Sequence, residues 1–402
     1  MIENSLVQNL AALKSLPITW SVFLFEEVVK DASGGNKKTL KSDFLDKGEF
    51  VIVDQGQSLI AGYTNNKELL VKELPPYVVF GDHTRAFKYI DVLFAMGADG
   101  TKVLKPKNRG TLLEKYLYYF FLTLNIPNTG YNRHFKYLKT LKIPLPPLAE
   151  QQKIAAILDA ADSLRQKDQQ LVERYTALSQ SLFLEMFGDP VTNPRCWKMA
   201  EFGEFITVLT DYHANGSYEV LKENVELKSE KDYALMVRTT DLEQNNFEDG
   251  VVYISQHAYE YLDKSKVYGG EIIISKIGSA GKVFLMPYIN KPVSLGMNAF
   301  LLRFDNQLNN LFVYYLLKSQ LGEIEIGKRI KGAVTKTIRK DALREIEIPL
   351  PPITLQNQFA ERIQLIEAQK QQAQLGLAKS EALFNSLLQR AFTGELTAKM
   401  AA

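Results

Sequence analysis

The chain has 402 residues, which is more than one ordinary domain needs and predicts two or three domains. Hydrophobic residues make up 46% and charged residues 23% of the sequence, a balance that excludes a disordered chain. The 48 basic residues against 46 acidic ones leave a net charge of only +2, which excludes a basic field over the whole surface. Any nucleic-acid site must therefore come from local clusters.

Cysteine and histidine usage argues against disulfides and metals. The single cysteine, Cys196, excludes an internal disulfide and a zinc site built on cysteines. The four histidines have no HxH or HxxxH spacing, so we expect no metal in this chain. Residues 1–4 lack the basic start of a signal peptide, and the most apolar run, 116–126, is about half of what a membrane crossing needs. We expect a cytoplasmic protein without membrane contact.

The first residues predict a short amphipathic helix. Ile2, Leu6, Leu10 and Leu13 recur at helical spacing ahead of Trp20. We hypothesise that this helix packs beside the end of the last helix of the chain and closes the helical scaffold into a ring. Deletion of residues 1–14 should then lower stability and partner binding.

Residues 1–142 form the first predicted α+β domain. Residues 50–53, 77–80 and 89–94 are typical of strands, and the aromatic run 116–119 indicates a helix near the end of the domain. Basic residues mixed with Asn, Thr and aromatic residues collect in predicted loops, where they could bind phosphates or base edges. The candidates for DNA contact are Arg85, Lys102, Lys105, Lys107, Arg109, Asn132, Arg133 and His134.

A long helix follows in residues 143–190. The Pro146-Pro147 pair stops the preceding strand, and no Gly or Pro interrupts the next forty residues until Gly188. Apolar residues recur here at alternating spacings of three and four, which is the 3.5-residue period of a coiled coil. The predicted seam contains Ile154, Ile157, Leu164, Leu171, Leu178 and Leu182.

Residues 191–347 form the second predicted α+β domain. Strands are predicted at 235–238, 271–275, 282–286 and 299–303, and an aromatic helix at 312–315. A basic loop again precedes the last strand of the domain, as in the first one, which favours a shared DNA-facing surface over an ordinary solvated loop. The candidates for DNA contact are Lys276, Lys282, Lys328, Arg329, Lys331, Lys336 and Arg339.

The last segment, 348–402, repeats the first long helix. IPLPP at 143–147 recurs at 348–352, an offset of 205 residues, and at this offset Gln151 aligns with Gln356 and Phe187 with Phe392. The second seam is predicted at Phe359, Ile363, Ile366, Leu377, Phe384 and Leu387. We expect the two helices to form one antiparallel coiled coil with pseudo-twofold symmetry. The alternative is that both are buried core helices of a larger domain.

The sequence lacks recognisable catalytic motifs. GSAGK at 278–282 resembles a phosphate-binding loop but has Lys276 where the motif needs Gly, and Val283 where it needs Ser or Thr. A tight turn between two strands explains this segment better. LPPY at 74–77 resembles the base-binding loop of amino-methyltransferases, but Leu74 cannot accept a hydrogen bond from a base amine. We therefore expect a non-catalytic protein.

Several segments resemble the specificity subunits of type I restriction–modification systems. The resemblance covers the whole chain and includes LKIPLPPLAEQQKIAAILD at 141–159, SLFLEMFGDP at 181–190, IEIPLPPITLQNQFAERI at 346–363 and LLQRAFTGEL at 387–396. VVFGDHTR at 78–85 and GGEIIISKIGSAGK at 269–282 are similar to target-recognition sequences of this family. The family offers no invariant catalytic residue to carry over.

This resemblance implies two target-recognition domains, each reading one half of a split and asymmetric double-stranded DNA target. The paired helices would act as a ruler between the half-sites. Two methyltransferase subunits would dock near the helices and carry S-adenosylmethionine, so that no cofactor binds this chain, and restriction or translocase subunits could join. Four residues inserted near Asp168 and again near Ala373 add about 6 Å of helix and should lengthen the preferred spacer.

Two other classes of function stay open from the residues alone. A coiled-coil scaffold or adaptor that binds proteins would show no salt-sensitive affinity for DNA, whereas phosphate contacts weaken steeply as salt rises. A self-sufficient DNA methyltransferase or nuclease would modify DNA without a partner. Incubating the purified chain with labelled S-adenosylmethionine and DNA would separate that class from the others.

Overall fold

The computed structural model describes residues 16–97, 99–130 and 132–398. The chain divides into two compact units. Unit 1 contains residues 1–170 and 373–402, and unit 2 contains residues 171–372. The proposed helix at Ile2, Leu6, Leu10 and Leu13 lies outside the described residues. Within the described part, no helix is both long and apolar enough to cross a membrane.

Between residues 16 and 145, the described part of unit 1 contains nine short strands and three short helices. The strands are β1 Ser21–Leu24, β2 Val29–Asp31, β3 Phe50–Val53, β4 Gly62–Thr64, β5 Tyr77–Gly81, β6 Phe87–Ile90, β7 Phe94–Met96, β8 Thr101–Pro106 and β9 Lys142–Leu145. The helices are α1 Phe25–Val28, α2 Glu114–Leu122 and α3 Phe135–Leu138, with 3-10 turns at Lys41–Asp43 and Lys67–Leu69. The first long helix, α4, spans Leu148–Phe187 and continues into unit 2.

Unit 2 is built from ten strands and six short helices. The strands are β10 Lys198–Glu201, β11 Ile206–Asp211, β12 Ala234–Val237, β13 Val252–Ile254, β14 Lys266–Val267, β15 Ile272–Ser275, β16 Val283–Leu285, β17 Val293–Leu295, β18 Ala299–Phe304 and β19 Glu347–Leu350. The helices are α5 Tyr218–Asn224, α6 Thr239–Gln244, α7 Gln256–Tyr261, α8 Asn310–Lys318, α9 Gln320–Arg329 and α10 Lys340–Arg344, with 3-10 turns at Phe202–Phe205, Tyr212–Asn215 and Asp263–Ser265. The second long helix, α11, spans Ile353–Ala391 and continues from unit 2 into unit 1, where α12, Glu395–Ala398, follows it.

The two units share one sheet topology. Unit 1 has an antiparallel sheet of order β2-β8-β5-β6, a smaller sheet β4-β3-β7 in which β3 and β7 run parallel, and the pair β1-β9. Unit 2 has the antiparallel sheet β11-β18-β15-β16, the smaller sheet β13-β12-β17-β14 in which β12 and β17 run parallel, and the pair β10-β19. The two globular regions therefore have one fold, although their sequences do not align between the landmarks of the repeat.

Most predicted strands are present, and one strand prediction is wrong. Residues 89–94 do not form a single strand, because β6 ends at Ile90 and pairs with β5, whereas β7 begins at Phe94 and pairs with β3 in the other sheet. The intervening Val92 and Leu93 are 50% and 39% exposed. An apolar run that turns between two sheets looks like one strand in the sequence, since side-chain periodicity does not show a change of partner.

The two long helices pack antiparallel, as the repeat predicts. In unit 1 the first part of α4, with Ile154 and Leu158, shares a core with the last part of α11, with Phe384 and Leu388. In unit 2 the last part of α4 and the first part of α11 share another core. Gly188, with φ of +80°, directly follows the end of α4 and provides the left-handed residue that commonly stops a helix. Gly394, also with φ of +80°, lies three residues after the end of α11.

The predicted seam of the second helix is buried or half-buried throughout. Phe359 and Ile363 are fully buried and Phe384 is 4% exposed, while Ile366, Leu377 and Leu387 are half-buried.

The predicted seam of the first helix needs a correction. Ile154, Ile157 and Leu182 are buried or half-buried, but Leu164, Leu171 and Leu178 are 45%, 41% and 48% exposed. The inward positions are instead Leu158, Arg165, Val172 and Ser179, one residue later in each case. The three exposed leucines are seven residues apart, so they imitate a seam and indicate the wrong face of the helix. The offset of 205 gives the right one, because it maps these inward positions onto 363, 370, 377 and 384.

A buried glutamine after each Pro-Pro pair explains why the motif recurs. The Gln151 side chain is inaccessible to solvent, accepts a hydrogen bond from the amide of Leu113 at 3.0 Å and donates to the carbonyls of Thr111 and Pro146 at 2.8 and 2.9 Å. Leu113 is the residue that precedes α2, so Gln151 caps this helix and ties it to the strand β9 and to α4.

Gln356 makes the same three contacts in unit 2. It accepts from the amide of Asn309 at 2.9 Å and donates to the carbonyls of Gln307 and Pro351 at 3.1 and 2.9 Å. Asn309 precedes α8, the counterpart of α2. A single side chain thus locks the aromatic helix, the last strand and the long helix together in each unit.

Candidate nucleic-acid interface

Two loops of each unit lie at corresponding places in the shared topology. One loop connects the hairpin strands β5 and β6 in unit 1, or β15 and β16 in unit 2. The other precedes the short helix that leads into the IPLPP strand. We call residues 82–86 with 126–130 and 132–134 the unit 1 loop pair, and residues 276–282 with 330–339 the unit 2 loop pair. Most predicted DNA-contact residues fall in these loops.

A buried latch joins the two loops of unit 1. The amide of His134 donates to the Asp82 carbonyl at 2.9 Å, and His134 Nδ1 lies 2.8 Å from the same oxygen. The Asp82 carboxylate accepts from the amide of Phe135 at 2.6 Å, and His134 Nε2 lies 3.2 Å from Thr129 Oγ1. Because its side chain is inaccessible to solvent, His134 holds the loops together and cannot contact DNA here, which corrects its prediction.

Three predicted residues remain at the surface of the unit 1 loop pair. Asn132 and Arg133 are exposed. Arg85 has a left-handed backbone with φ of +65°, and its guanidinium donates to the carbonyl of Ile126 at 3.1 Å, in the neighbouring loop. The half-buried Arg85 therefore braces the pair.

Lys102 lies at the same end of the sheet as the unit 1 loop pair, since it opposes Phe80 in the strand register. Its ammonium forms an ion pair with Asp31 at 2.8 Å. Burial alone would raise the pKa of Asp31, but hydrogen bonds from Lys102 and Ser33 outweigh burial and lower it. A DNA phosphate would compete with this carboxylate for Lys102.

The basic run from Lys102 to Arg109 does not act as one cluster. Lys105 is only 4% exposed and donates to the carbonyls of Leu74 and Pro76 at 2.7 and 2.6 Å. Its ammonium also lies 3.2 Å from the buried Glu114 carboxylate, and burial lowers its pKa. Lys105 is an internal brace, so its prediction as a DNA contact is wrong.

Arg109 and Lys107 lie at the opposite end of β8 from the unit 1 loop pair. Arg109 bonds Glu114 at 2.6 Å, and Lys107 donates to the Glu26 carbonyl at 2.6 Å. The register of β8 separates these residues from Lys102, since Thr101 opposes Gly81 at one end and Pro106 opposes Val29 at the other. The structure therefore does not bring Lys107 and Arg109 together with the loop pair.

Backbone hydrogen bonds join the two loops of unit 2. The amide of Gly278 donates to the Lys336 carbonyl at 3.0 Å, and that of Ile338 donates to the Lys276 carbonyl at 3.1 Å. Lys331 and Thr337 exchange two backbone hydrogen bonds, of 2.9 and 2.8 Å, which close residues 331–337 into a small hairpin. GSAGK is a turn between β15 and β16, as expected.

The hairpin of the unit 2 loop pair combines cations with an apolar tip. Lys331, Lys336 and Arg339 are exposed, and Val334 between them is 97% exposed. No described carboxylate lies within ion-pair distance of these three cations. Val334 was missed in the sequence, because a single valine in a polar loop gives no periodic signal.

Other predicted cations of unit 2 already have acidic partners. Lys276 pairs with Asp211 at 2.8 Å, and Lys340, which the sequence interpretation missed, pairs with the same carboxylate at 2.9 Å. Burial alone would raise the pKa of Asp211, but hydrogen bonds from both lysines outweigh it and lower that pKa. Lys282 pairs with Glu243 at 2.9 Å and is 55% exposed. Asp211 ends β11 as Asp31 ends β2, so each edge strand ends in a carboxylate that holds a lysine.

Lys328 and Arg329 belong to α9 and pair with Glu325, at 2.6 and 2.7 Å. The Arg329 side chain is 17% exposed and also donates to the carbonyl of Glu345 at 2.6 Å. Arg329 thus fastens α9 to the segment before β19, and its contact with DNA stays a prediction. Lys328, 63% exposed, stays at the surface of the helix.

The described ranges contain no group of three or more His, Cys, Asp or Glu residues arranged to hold a metal ion. The exposed residues of the two loop pairs include the cations Arg133, Lys331, Lys336 and Arg339, the amide side chain of Asn132 and the apolar Val334. Such groups can bind phosphates and base edges.

Two α+β units of one topology, with a pair of loops at corresponding places and two antiparallel long helices, define a class of two-part DNA-recognition subunits. The family model for the type I restriction modification DNA specificity domain matches residues 17–174 and 194–375. The chain therefore belongs to the specificity subunits of type I restriction–modification systems. It recognises the DNA target and is a non-catalytic component of the system.

Individual relatives agree with this assignment. The chain is 26% identical over 364 residues to the type I restriction enzyme MjaVIII specificity subunit of Methanocaldococcus jannaschii, covering 83% of this chain and 82% of the relative. It is 22% identical over 293 residues to the EcoBI specificity subunit of Escherichia coli, covering 65% of this chain and 60% of the relative. The crystal structure of a type I S subunit from M. genitalium matches with a TM-score of 0.60 and 18% identity over 94% of this chain and 98% of that chain. This last likeness shows the fold.

Proposed function

We propose that each unit reads one half of a split, asymmetric DNA target through its loop pair. The observation that supports this most is the position of the two loop pairs at corresponding places of one topology, with different side chains. Equal frameworks would present equivalent surfaces to the duplex, and unlike loops would read unlike bases. Half-sites about one helical turn apart, roughly 34 Å, present their major grooves on the same face of DNA.

The exposed residues of the loop pairs suggest different contacts in the two halves. In unit 2, Lys331, Lys336 and Arg339 would hold phosphates or a guanine edge, and Val334 would contact a thymine methyl group. In unit 1, Arg133 would hold a phosphate and Asn132 would pair with adenine. Lys276 and Lys102 contribute only if DNA displaces their carboxylate partners.

We also propose that two methyltransferase subunits dock on the two halves of this chain. The support is the repeat itself, because Gln151 and Gln356 fix equivalent helices and strands in each unit, so that two equal partners meet similar surfaces. S-adenosylmethionine would bind these partners and not this chain. A restriction or translocase subunit would join the same assembly.

The helix pair is proposed to set the spacer between the half-sites. One heptad (seven residues) inserted into each long helix, after Asp168 and after Ala373, would keep the seam in register and lengthen each helix by about 10 Å. These positions correspond under the offset of 205. We expect the methylated motif to keep both halves and to gain about three base pairs between them, at 3.4 Å per pair. An unchanged spacer in a folded, active complex would refute the ruler.

The recognition proposal is tested by exchanging one loop at a time. A chain in which polar residues replace 331–337 should direct its methyltransferase to a target with one altered half, whereas a chain with altered residues 128–130 and 132–133 should change the other half. The matched control replaces Lys107, which lies at the other end of β8, and should leave the motif unchanged. If both loop variants alter the same half, the assignment of one half to each unit is wrong.

A further inference from the structure

Unit 2 contains a cavity of about 510 Å³ that is lined by residues outside the unit 2 loop pair. It lies among the last part of α4, the aromatic helix α8 and the first part of α11. Aromatic rings of Phe183, Tyr314 and Tyr315 line it together with Ser179, Glu367 and Lys370. Cavities of this size with apolar walls and a few polar groups are typical ligand sites.

The polar groups of the cavity form one hydrogen-bonded cluster. Glu367 Oε1 accepts from the hydroxyl of Tyr315 at 2.7 Å and from that of Ser179 at 3.0 Å. Lys370 Nζ lies 3.6 Å from Glu367 Oε2. Burial, reinforced by the hydrogen bond to Glu367, raises the pKa of Tyr315, so its phenol remains a neutral donor. The carboxylate retains capacity to accept a further hydrogen bond at Oε2.

Unit 1 shows what fits at the corresponding place. The offset of 205 maps Ser179 onto Phe384 and Arg165 onto Lys370, and the matching aromatic helices map Tyr315 onto Tyr119. In unit 1 the Phe384 ring lies 6.2 Å from the Tyr119 ring, and the Arg165 guanidinium lies 5.0 Å over the Phe384 ring. Unit 1 therefore fills this place with its own phenyl ring, held between a tyrosine and a cation.

We propose that the unit 2 cavity binds an aromatic ring that carries a hydrogen-bond donor. The ring takes the place that Phe384 occupies in unit 1, against Tyr315 and beside the Lys370 ammonium, where a cation favours the face of an aromatic ring. Its donor reaches the Glu367 carboxylate. Such a ring comes either from a free small molecule or from an aromatic side chain of a docked polypeptide.

Phenol is a suitable probe, and cyclohexanol has a hydroxyl and a ring of similar size without the aromatic face. We expect phenol to bind the full chain saturably at one site, and cyclohexanol to bind at least tenfold more weakly. Ligand-detected NMR and titration calorimetry measure both affinities. No saturable binding of phenol, or equal binding of the two probes, would overturn the proposal.

Two variants locate the probe. Ser179→Phe places a ring where unit 1 has one and should weaken phenol binding at least tenfold. Gln180→Trp, at an exposed position that lines the cavity, should cover it and act in the same direction without disturbing the buried cluster. Ser181→Phe makes the same exchange at an exposed neighbour and serves as the control. If the folded Gln180→Trp chain binds phenol as the wild type does, the site lies elsewhere.

The source of the natural ring follows from the same titration with the methyltransferase subunit bound. Loss of phenol binding in that complex assigns the ring to the partner, and unchanged binding assigns it to a free molecule. This outcome does not depend on DNA recognition, because phenol binding is measured without DNA.

Discussion

Unit 1 and unit 2 have corresponding sheets, apart from the extra strand β14 of unit 2, and the same glutamine clamp and closing strand. They differ in their loop pairs and beside the helix pair. Gln151 and Gln356 make corresponding hydrogen bonds, but the loops of unit 1 are latched by Asp82 and His134, whereas backbone bonds join those of unit 2. The framework is thus repeated where the long helices must be held. It diverges in the loops that we propose face DNA, which lets one architecture read two unlike half-sites.

The two units also differ in the side chains that the long helices present to the aromatic helix of each unit. Phe384 fills the place beside Tyr119 in unit 1, while Ser179 leaves a cavity beside Tyr315 in unit 2. Equal backbones thus do not imply equal packing.

The largest effect is expected at the filled site of unit 1. Phe384 is 4% exposed, so Phe384→Ala should cost about 3–5 kcal/mol of stability by leaving an unfilled cavity. Ser179→Ala, at the corresponding place of unit 2, removes one hydroxyl and should cost about 1 kcal/mol. Hydrogen exchange of α2 and α8 measures each unit separately. Equal losses would show that the two sites are packed alike.

The glutamine clamps should contribute equally in the two units. Gln151→Leu and Gln356→Leu each leave a buried amide and two carbonyls without partners, and each should cost about 1–3 kcal/mol. The exposed neighbours give matched controls, and Gln152→Leu and Gln358→Leu should change stability by less than about 0.5 kcal/mol. Urea unfolding monitored in each unit provides the measurement. A large loss in only one unit would contradict the shared framework.

Removal of a free cation from the unit 2 loop pair should weaken DNA binding and its salt dependence. Lys336→Ala deletes one proposed phosphate contact, so the slope of log K against log salt should fall by about 0.9. Lys107→Ala removes the same charge at the far end of β8 in unit 1 and serves as the control. Fluorescence anisotropy with the assembled methyltransferase gives both slopes. Identical slopes for the two variants would argue that binding is diffuse.

The smallest expected effect tests the register of the first helix. Val172 is half-buried and Leu171 is 41% exposed, so Val172→Asn should cost about 1 kcal/mol and Leu171→Asn less than about 0.5 kcal/mol. The thermal unfolding midpoint of each variant decides between the two faces. A larger loss from Leu171→Asn would restore the register that the leucine spacing indicates.

The sequence predicts the repeat, the two long helices and most strands, because each leaves a periodic signal or an internal copy. Residue type alone gives the wrong face of α4, because the exposed Leu164, Leu171 and Leu178 imitate a seam. The true seam contains Arg165 and Ser179, which are not typical seam residues. Alignment with the second copy would have corrected this. The domain boundaries stay a prediction.

The candidate site was less predictable than the fold. Residue type alone cannot distinguish Lys105 or His134, which are buried braces, from Lys336, which is exposed, because burial depends on strand register and on partners far apart in the sequence. The identity of the acidic partners is equally hidden, as Asp211 lies 65 residues from Lys276. What the sequence did indicate is the pair of basic loops ahead of the two IPLPP strands.

The most direct test of the account is a methylome of a host that carries this chain with its methyltransferase, compared with the same host carrying the variant altered at 331–337. We predict a two-part asymmetric motif for the wild type, and for the variant a motif in which one part changes while the other part and the spacer persist. A single continuous motif, or a variant in a folded complex that leaves both parts unchanged, would contradict the claim that each unit reads its own half of the target.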